Sequence, residues 1–327
     1  MRALMCKEYG PPESLELVTL DDPEPGSGEL LVDIQAAGLN FPDVLVIAGQ
    51  YQVKTEPPFI PGNEAAGVVA AVGDGVTRFK PGDRVIAMPR GGTFADKCVV
   101  SESLAMPLLP GLDFAQGAGF AVTYGTSYHA LRQSAALQAG ERVLVLGAAG
   151  GVGITAVEIA KAMGAEVIAA ASNDEKLEFA ESAGADHLIN YTKDSLREAV
   201  KTLTDGEGVN VVYDPVGGDL AQQALRSLAW HGRYLVIGFA SGDIPALPAN
   251  VALLKEASIV GVWWGTWVAK NPSGHIANVQ ALAALVADGK LTPRISERYP
   301  LENYADAFGA ITERRALGKV VLTMGAS

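Results

Sequence analysis

The stretch LVLGAAGGVG at residues 144–153 decides the fold, because it joins an apolar run to a glycine-rich turn and the start of a helix. Residues 142–147 are predicted as a buried strand, because apolar side chains fill positions 143–146, and apolar residues recur at helical spacing over 152–163. Gly150 lets backbone N–H groups approach a pyrophosphate, and Gly153 lets the helix pack closely on the strand. The stretch therefore predicts a dinucleotide site. An ordinary strand-to-helix turn is the alternative, because alanine replaces the first glycine of the usual fingerprint.

The alternation of strands and helices continues beyond this motif. Further strands are predicted at residues 166–171, 187–190, 209–214, 233–239 and 258–263, and helices at 174–183, 195–203 and 219–230. Apolar strands that alternate with helices in this way indicate a doubly wound parallel sheet, so the fold class is α/β. We place this Rossmann dinucleotide-binding domain at residues 122–266.

The chain before residue 121 has a different pattern, in which short apolar runs are separated by glycine and proline. These runs, at residues 30–37, 66–72, 83–87 and 94–100, predict a small barrel-like β unit. A strand predicted at 319–324 returns to this unit. The first domain is therefore expected to be discontinuous, formed by residues 1–121 and 267–327.

Composition excludes several classes of protein. The sequence has 25 basic and 37 acidic residues and a formal net charge of −12, which repels phosphate backbones and anionic lipid. We therefore expect no nucleic-acid partner and no membrane partner. Two cysteines cannot form a disulfide framework, and the charged N-terminal segment lacks the apolar run of a secretory signal, so a cytoplasmic location is expected.

The residues after the second strand of the sheet bear on the choice between NAD and NADP. An NAD enzyme usually carries Asp or Glu about 20 residues beyond the glycine motif, where this chain reads AASNDEK at 170–176. Ser172 leaves room for a 2′-phosphate, and Lys176 supplies a cation. This favours NADPH. Asp174 and Glu175 oppose it, and a solvated helix residue is the alternative role for Lys176.

Several motifs occur in order along the chain. They are GLNFPD at 38–43, PGNEAAG at 61–67, PGDRV at 81–85, GAAGGVG at 147–153, DPVGG at 214–218 and IGFASG at 237–242. On these motifs the chain resembles the medium-chain dehydrogenase/reductase superfamily, and within it the zinc-free quinone oxidoreductases that include zeta-crystallin. The resemblance covers nearly the whole chain. It implies a GroES-like β-rich catalytic domain joined to the Rossmann domain, and NADPH as the cofactor.

The resemblance also shows what is missing. Zinc alcohol dehydrogenases have Gly-His-Glu where this chain has GNE at 62–64, so Asn63 replaces a histidine ligand. Catalytic zinc needs three protein ligands and an open position. The two cysteines and four histidines offer no such set, so no metal is expected. Without a Lewis acid, reduction of an electron-poor acceptor is favoured over alcohol oxidation.

The resemblance implies roles for matched positions. Asn40 and Thr126 are the candidate catalytic residues at the nicotinamide end of the site. The implied cofactor contacts are Thr126, Gly150, Gly151, Val152, Gly153, Ser172, Lys176, Tyr191, Gly217, Phe239, Ser241 and Arg315. The implied substrate contacts are Asn40, Leu45, Tyr51, Trp263 and Trp264. Among the cofactor contacts, Lys176, Tyr191 and Arg315 resemble the family's contacts to the 2′-phosphate.

Two departures from the family leave the substrate preference undecided, and one aromatic cluster has two alternative roles. Leu45 replaces a tyrosine common in the family, and Glu158 replaces a common glutamine. The run VWWGTW at 262–267 holds three of the four tryptophans, which either stack on a planar ligand or form a buried core or dimer seam. Because the last sheet strand is apolar and pairs across subunits in the family, a homodimer joined through residues 258–267 is expected.

Three functions fit these observations. The first is NADPH-dependent quinone reduction, in which hydride passes from nicotinamide C4 to a quinone without a metal. The second is reduction of the carbon–carbon double bond of an enone or enoyl thioester, which benefits from a placed acid such as Tyr51 or Tyr124. The third is a non-catalytic nucleotide-binding protein of a crystallin-like or RNA-associated kind, and the net charge disfavours RNA.

Overall fold

A computed structural model describes residues 1–325. Its strands are β1 (Arg2–Met5), β2 (Glu16–Thr19), β3 (Glu29–Gly38), β4 (Ala65–Val72), β5 (Arg84–Ala87), β6 (Lys97–Ser101), β7 (Ala105–Pro107), β8 (Arg142–Leu146), β9 (Glu166–Ala171), β10 (His187–Asn190), β11 (Val209–Asp214), β12 (Leu228–Val236), β13 (Ser258–Gly261), β14 (Ile295–Pro300) and β15 (Lys319–Thr323). Its α-helices are α1 (Phe41–Ile47), α2 (Phe114–Ala118), α3 (Ala121–His129), α4 (Gly151–Ala162), α5 (Asp174–Glu181), α6 (Leu196–Leu203), α7 (Leu220–Arg226), α8 (Ala249–Lys255), α9 (Trp264–Lys270), α10 (Pro272–Ala287) and α11 (Tyr304–Thr312). None of the helices in this described part of the chain is long and apolar enough to span a membrane.

The chain divides into two compact units. The first contains residues 1–122 and the chain from Pro293 onward, and the second contains residues 123–292. The first unit is discontinuous, because β15 pairs antiparallel with β3 in one sheet.

The second unit extends beyond residue 266, the boundary expected from the sequence, because α9 and α10 pack on its opening segment. The Trp267 ring of α9 stacks on the His129 ring of α3 at a centroid distance of 4.3 Å. The Asn278 side chain of α10 exchanges hydrogen bonds with the Gln133 side chain. These contacts assign the two helices to the second unit.

The second unit is built on a six-stranded parallel sheet in the order β10-β9-β8-β11-β12-β13. Its central strands are buried on both faces and therefore read as continuous apolar runs. The predicted doubly wound α/β fold is confirmed. The strand order reverses between β8 and β11, and sheets of this kind bind ligands beyond the carboxyl ends of the strands at such a reversal. The loops that follow β8 and β11 are therefore the candidate ligand-binding site.

One predicted helix is shorter than its pattern suggests. The sequence predicts a helix over 219–230, whereas α7 ends at Arg226 and β12 already begins at Leu228. Leu228 pairs with Val209 of β11, and the register shifts before the next pairing. His231 lies in this irregular part of β12 with a left-handed φ of 58°. Backbone pairing with β11 therefore outweighs the helical propensity of these residues.

The first unit is a β-rich domain around a seven-stranded sheet. Its strand order is β14-β15-β3-β4-β5-β7, and β6 also pairs with β3. Neighbours in this sheet are antiparallel except β14 and β15, which run parallel. In the core the Phe94 ring meets the Phe308 ring of α11 edge to face, with centroids 5.9 Å apart. This is the GroES-like architecture that the resemblance implies.

Candidate functional site

The glycine-rich turn lies directly after β8, where the strand order reverses. Gly147 has a φ of 56°, a left-handed conformation that favours glycine. A Cβ added to Gly153 would lie 2.1 Å from the Gly147 carbonyl oxygen, so α4 packs against the turn only with glycine there. Gly150 caps α4, whose first turn contains Gly151 and Val152. The backbone N–H groups that open this helix suit the pyrophosphate that the sequence predicts.

Ser172 and Lys176 lie together beyond the carboxyl end of β9. The Lys176 Nζ donates to Ser172 Oγ at 3.1 Å, and Asn173 caps α5 by accepting from the Lys176 backbone N–H at 2.9 Å. Tyr191 follows the neighbouring strand β10, and its backbone N–H donates to the Ala171 carbonyl oxygen at 3.2 Å. Three residues that the resemblance assigns to the cofactor therefore share one end of the sheet.

Asp174, one of the two acidic residues that follow Ser172, forms hydrogen bonds with two neighbouring side chains. Asp174 accepts from Lys193 Nζ at 2.6 Å and from Asn190 Nδ2 at 2.8 Å. The hydrogen bond from Lys193 holds the pKa of the Asp174 carboxyl below its usual value. Because a local cation offsets this carboxylate, Asp174 weighs less against a 2′-phosphate than the sequence suggests.

The loops after β11 and β12 bring three more predicted cofactor contacts together. Gly217 has a φ of 70°, and its backbone N–H donates to Asp214 Oδ1 at 2.9 Å. A Cβ added to Gly217 would lie 3.0 Å from the Phe239 ring. The Ser241 backbone N–H donates to the Val216 carbonyl oxygen at 2.9 Å. The DPVGG turn therefore holds its backbone beside Phe239 and Ser241, two of the residues that the resemblance assigns to the cofactor.

Thr126 lies on α3, and the next residue of that helix ties it to the glycine-rich turn. Ser127 Oγ donates to the Val152 carbonyl oxygen at 3.0 Å. It also lies 2.8 Å from both Thr155 Oγ1 and the Tyr213 hydroxyl. The helix that carries the half-exposed Thr126 is thus fixed against the start of α4.

The two tyrosines considered as proton donors lie in different units. Tyr124 is 1% exposed in the second unit, and its hydroxyl donates to the buried carboxylate of Glu158. Glu158, which replaces a glutamine common in the family, therefore accepts a hydrogen bond from a tyrosine of α3. Tyr51 lies in the first unit just after α1, where its backbone N–H donates to the Leu45 carbonyl oxygen at 3.1 Å. Tyr51 and Leu45, both predicted substrate contacts, are neighbours.

In the first unit, Asn40 belongs to a buried charged cluster. Lys319 Nζ donates to the Leu39 carbonyl oxygen at 2.7 Å, to Asn40 Oδ1 at 2.8 Å and to Glu64 Oε1 at 2.7 Å. Asn40 Nδ2 donates to the same Glu64 oxygen at 2.9 Å. The side chains of Lys319 and Glu64 are 5% and 0% exposed, so solvent does not screen the pair.

A second buried carboxyl adjoins this cluster. Asp43 accepts from the Asn40 backbone N–H at 2.8 Å and from Asn63 Nδ2 at 3.0 Å. Burial raises the pKa of the Asp43 carboxyl to about 7, against the opposing effects of the Asn40 N–H and of Lys319. Asn63, at the position of the zinc-binding histidine of related enzymes, is thus a hydrogen-bond donor to a carboxyl. Within residues 1–325, no group of three or more His, Cys, Asp and Glu side chains is arranged to hold a metal ion.

The remaining predicted contacts are placed as follows. Arg315 belongs to the first unit and is exposed, where its Nε donates to Glu313 at 2.7 Å. Trp264 packs inside the second unit so closely that a Cβ added to Gly125 would lie 2.5 Å from its ring. Trp263 is 54% exposed. Of the predicted substrate contacts on α9 and just before it, only Trp263 therefore presents most of its indole to solvent.

Sequence reasoning missed the partners that hold Asn40. Glu64 and Asp43 stand in quoted motifs, but nothing in the pattern shows that they are fully buried. Lys319 begins β15, KVVLT, whose next three residues are all buried. A lone lysine at the start of an apolar strand was the available signal, because such a charge is buried only when it is paired.

Comparisons with known proteins agree with this architecture. The family model described as "Alcohol dehydrogenase GroES-like domain" matches residues 26–126, and the one described as "Zinc-binding dehydrogenase" matches residues 151–284. The chain is 40% identical over 324 residues to a quinone oxidoreductase-like protein 2 homolog of Nematostella vectensis, covering 98% of this chain and 88% of that protein.

Solved structures also match the chain over nearly its whole length. Escherichia coli quinone oxidoreductase, complexed with NADPH, superimposes with a TM-score of 0.93 at 29% identity, covering 99% of this chain and 100% of that one. CurK enoyl reductase superimposes with a TM-score of 0.89 at 29% identity, covering 99% of each chain. On the matched domains and the identity over almost its whole length, the chain belongs to the quinone oxidoreductase family of the medium-chain dehydrogenase/reductase superfamily.

Proposed function

We propose that this protein reduces quinones with NADPH. The observation that carries the cofactor choice is the corner at Ser172 and Lys176, where a hydroxyl and a cation stand in place of the acidic residue of NAD enzymes. The acceptor is supported by relatives named quinone oxidoreductase or quinone oxidoreductase-like. Reduction then consumes one hydride and one proton for each quinone and gives a hydroquinone.

The residues of the chain would divide the work of binding and orientation. NADPH supplies the hydride when bound. The turn at residues 150–153 would hold the pyrophosphate through the backbone N–H groups that open α4, and glycine at position 153 keeps that helix close to the turn. Lys176 and Tyr191 would bind the 2′-phosphate. Thr126 would orient the nicotinamide half, and Asn40 would contact the acceptor. Positioning of this kind supplies much of the barrier reduction in a hydride transfer.

The test is NADPH oxidation against a panel of ortho- and para-quinones, enones and enoyl thioesters. We expect the highest kcat/KM with a quinone, because the product oxygen has a pKa near that of a phenol, about 10, and needs no placed acid. Turnover confined to enones or enoyl thioesters would overturn the quinone assignment. No turnover with any acceptor would favour the non-catalytic nucleotide-binding protein.

Reduction of an activated carbon–carbon double bond is the second candidate. It is favoured by the similarity to CurK enoyl reductase. That reaction benefits from an acid that protonates the enolate. Tyr124 suits this role poorly, because its hydroxyl is buried and bonded to Glu158. A Tyr51→Phe variant that loses enone turnover and keeps quinone turnover would identify the remaining donor.

We propose that no zinc takes part. Asn63 replaces the histidine ligand, and a carboxamide nitrogen, unlike an imidazole nitrogen, has no lone pair to offer a metal; here it donates to Asp43. Elemental analysis of the purified protein should find zinc far below one atom per chain. One zinc per chain, together with loss of activity on chelation, would contradict this.

The cytoplasmic location expected from the sequence stays a prediction.

We further propose that the protein is a homodimer joined through β13. β13 is an edge strand of the parallel sheet, and Ile259 on it is 41% exposed. An exposed apolar edge is stabilised by pairing with another strand. Light scattering should give twice the chain mass, and Ile259→Lys should give the monomer. Ile276→Lys, at an exposed apolar residue of α10, is the matched control that should remain dimeric.

A further inference from the structure

The cluster around Asn40 shows an arrangement that the proposed quinone reduction does not by itself explain. An ammonium group has three N–H donors. Lys319 donates all three to oxygens of the first unit, at Leu39, Asn40 and Glu64. The side chain is 5% exposed. Lys319 is therefore committed to internal bonds and is held in one place by them.

The carboxylate of Glu64 is equally fixed. Its Oε1 accepts from Lys319 and Asn40, and its Oε2 accepts from the Val122 backbone N–H at 2.9 Å. A Cβ added to Gly38 would lie 2.6 Å from Glu64 Oε1 and 2.3 Å from a backbone oxygen of α2, so only glycine leaves room for the carboxylate. Glycine at position 38 therefore keeps the space that the Glu64 side chain occupies.

These partners determine which way the Asn40 carboxamide faces. Lysine can only donate and a carboxylate can only accept, so Oδ1 must face Lys319 and Nδ2 must face Glu64. A flipped amide would place its N–H groups against the ammonium and its oxygen against the carboxylate. One Nδ2 hydrogen is used by Glu64, and the second has no protein acceptor among the residues that the structure describes.

We propose that Glu64 and Lys319 are positioning residues, which hold Asn40 so that its second Nδ2 hydrogen serves as a hydrogen-bond donor to the carbonyl oxygen of the acceptor. This rests on the proposed function for the identity of that acceptor. Hydride transfer to a quinone places negative charge on a carbonyl oxygen, and an oriented N–H stabilises that charge as it develops. An amide free to flip would present its own oxygen half of the time.

The double variant Glu64→Gln/Lys319→Met separates positioning from stability. It replaces a buried ion pair by neutral residues of similar size, which commonly leaves stability close to that of the wild type. The glutamine introduced by Glu64→Gln can bond to either end of an amide, so the orientation of Asn40 is no longer determined. We expect kcat to fall about 10- to 100-fold, in line with the loss of one oriented donor, while KM for NADPH changes less than about two-fold.

The matched control is Glu141→Gln/Arg233→Met. It removes a bidentate ion pair in the second unit whose two side chains are each 19% exposed. This pair has no part in the proposed site, so kcat should stay within about two-fold of the wild type. Unchanged kcat in the folded Glu64→Gln/Lys319→Met variant would overturn the positioning role.

A spectroscopic readout makes the test independent of the acceptor. In NADPH-free protein labelled with ¹⁵N-asparagine, the Asn40 amide is identified by its loss in Asn40→Asp. We expect two well-separated Nδ2 proton signals, one of them exchanging slowly with solvent, in contrast to exposed Asn250. The separation should collapse in the double variant. If the wild-type Asn40 signals already resemble those of Asn250, the amide is not held, whatever the enzyme reduces. If they are held but no quinone is turned over, only the proposed function fails.

Discussion

Lys319 in the first unit and Lys176 in the second carry the same charge in opposite surroundings. Lys319 is buried against a carboxylate and an amide, with every N–H donated to a fixed oxygen. Lys176 is half-buried at the end of a sheet, where its Nζ donates to the neutral hydroxyl of Ser172. The buried cation holds a neighbouring side chain in place, whereas the half-buried one is the proposed contact to the 2′-phosphate. Removal of Lys319 should therefore lower mainly the free energy of unfolding, and removal of Lys176 mainly kcat/KM with NADPH.

The largest effect is expected for Lys319→Met. Removing one partner of a buried pair leaves the carboxylate of Glu64 uncompensated, which costs about 3–5 kcal/mol of unfolding free energy. Denaturant titration measures it. Glu64→Gln in the same chain should recover most of the loss, because the buried charge then disappears. A single variant as stable as the wild type would show that Glu64 is compensated by other groups, and the contrast between the two lysines would vanish.

The next largest effect is the pH dependence that Asp43 gives to the free energy of unfolding. Its pKa is about 7 in the folded chain and about 3.9 in an unfolded one, so folding takes up a proton between these values. The stability that it contributes is full below the unfolded pKa and is lost as pH rises through 7. Between pH 5 and pH 8 the loss is about 2–3 kcal/mol.

The comparison with Asp43→Asn isolates this contribution. Burial lowers the pKa of His129 and His275. Their contribution to the free energy of unfolding therefore changes with pH in the opposite direction and is lost as pH falls. They are common to both proteins and cancel in the difference. The unfolding free energy of the wild type minus that of the variant should fall as pH rises from 5 to 8. A flat difference would mean that Asp43 is ionised throughout that range.

A smaller effect is expected for Lys176→Ala. Charge-assisted bonds contribute about 1.5–3 kcal/mol where partly desolvated, and exposure reduces this, so kcat/KM with NADPH should fall by about 1–2 kcal/mol, or 5- to 30-fold. The value with NADH should barely change, because that cofactor lacks the phosphate. Lys201→Ala, at an exposed lysine in the last turn of α6, is the control and should leave both values unchanged. Equal losses with both cofactors would mean that Lys176 supports its helix and does not read the phosphate.

The smallest effect is expected for Arg315→Ala. This residue is exposed in the first unit and bonded to Glu313, and exposed charges contribute little, so kcat/KM with NADPH should fall about 2- to 5-fold. The loss should shrink further at high salt, where that of Lys176→Ala persists in part. An Arg315 effect larger than the Lys176 effect would move the main phosphate contact to the first unit.

The local features of the fold were accessible from the sequence, and the long-range partners were not. The strand, turn and helix around Gly150 follow from apolar periodicity and glycine placement, and the sheet around them has the predicted class. The helix expected to continue to residue 230 ends early, because pairing of Leu228 with β11 is a tertiary effect. The second unit passes residue 266 because Trp267 stacks on His129, far away in the chain.

The candidate site divides in the same way. Ser172 and Lys176 could be named because a strand end and its next turn place them by local geometry, whereas Tyr191 could be named only from the resemblance. Asn40 could be named, but its partner Lys319 lies 279 positions away. Periodicity carries no information on which buried carboxylate a distant lysine will meet. Only the pairing of β15 with β3 brings the two ends of that bond together.

The discontinuity of the first unit has a consequence for the order of events during synthesis. Residues 123–292 form a continuous segment that can collapse as soon as it leaves the ribosome, since domains generally fold as units. The first unit must wait for β15, which inserts between β14 and β3. Until residue 319 has been made, Glu64 lacks its lysine partner, and Oδ1 of Asn40 lacks the donor that completes the orientation of the carboxamide. The nascent protein is therefore expected to fold residues 123–292 first and to complete the first unit only after β15 has been translated.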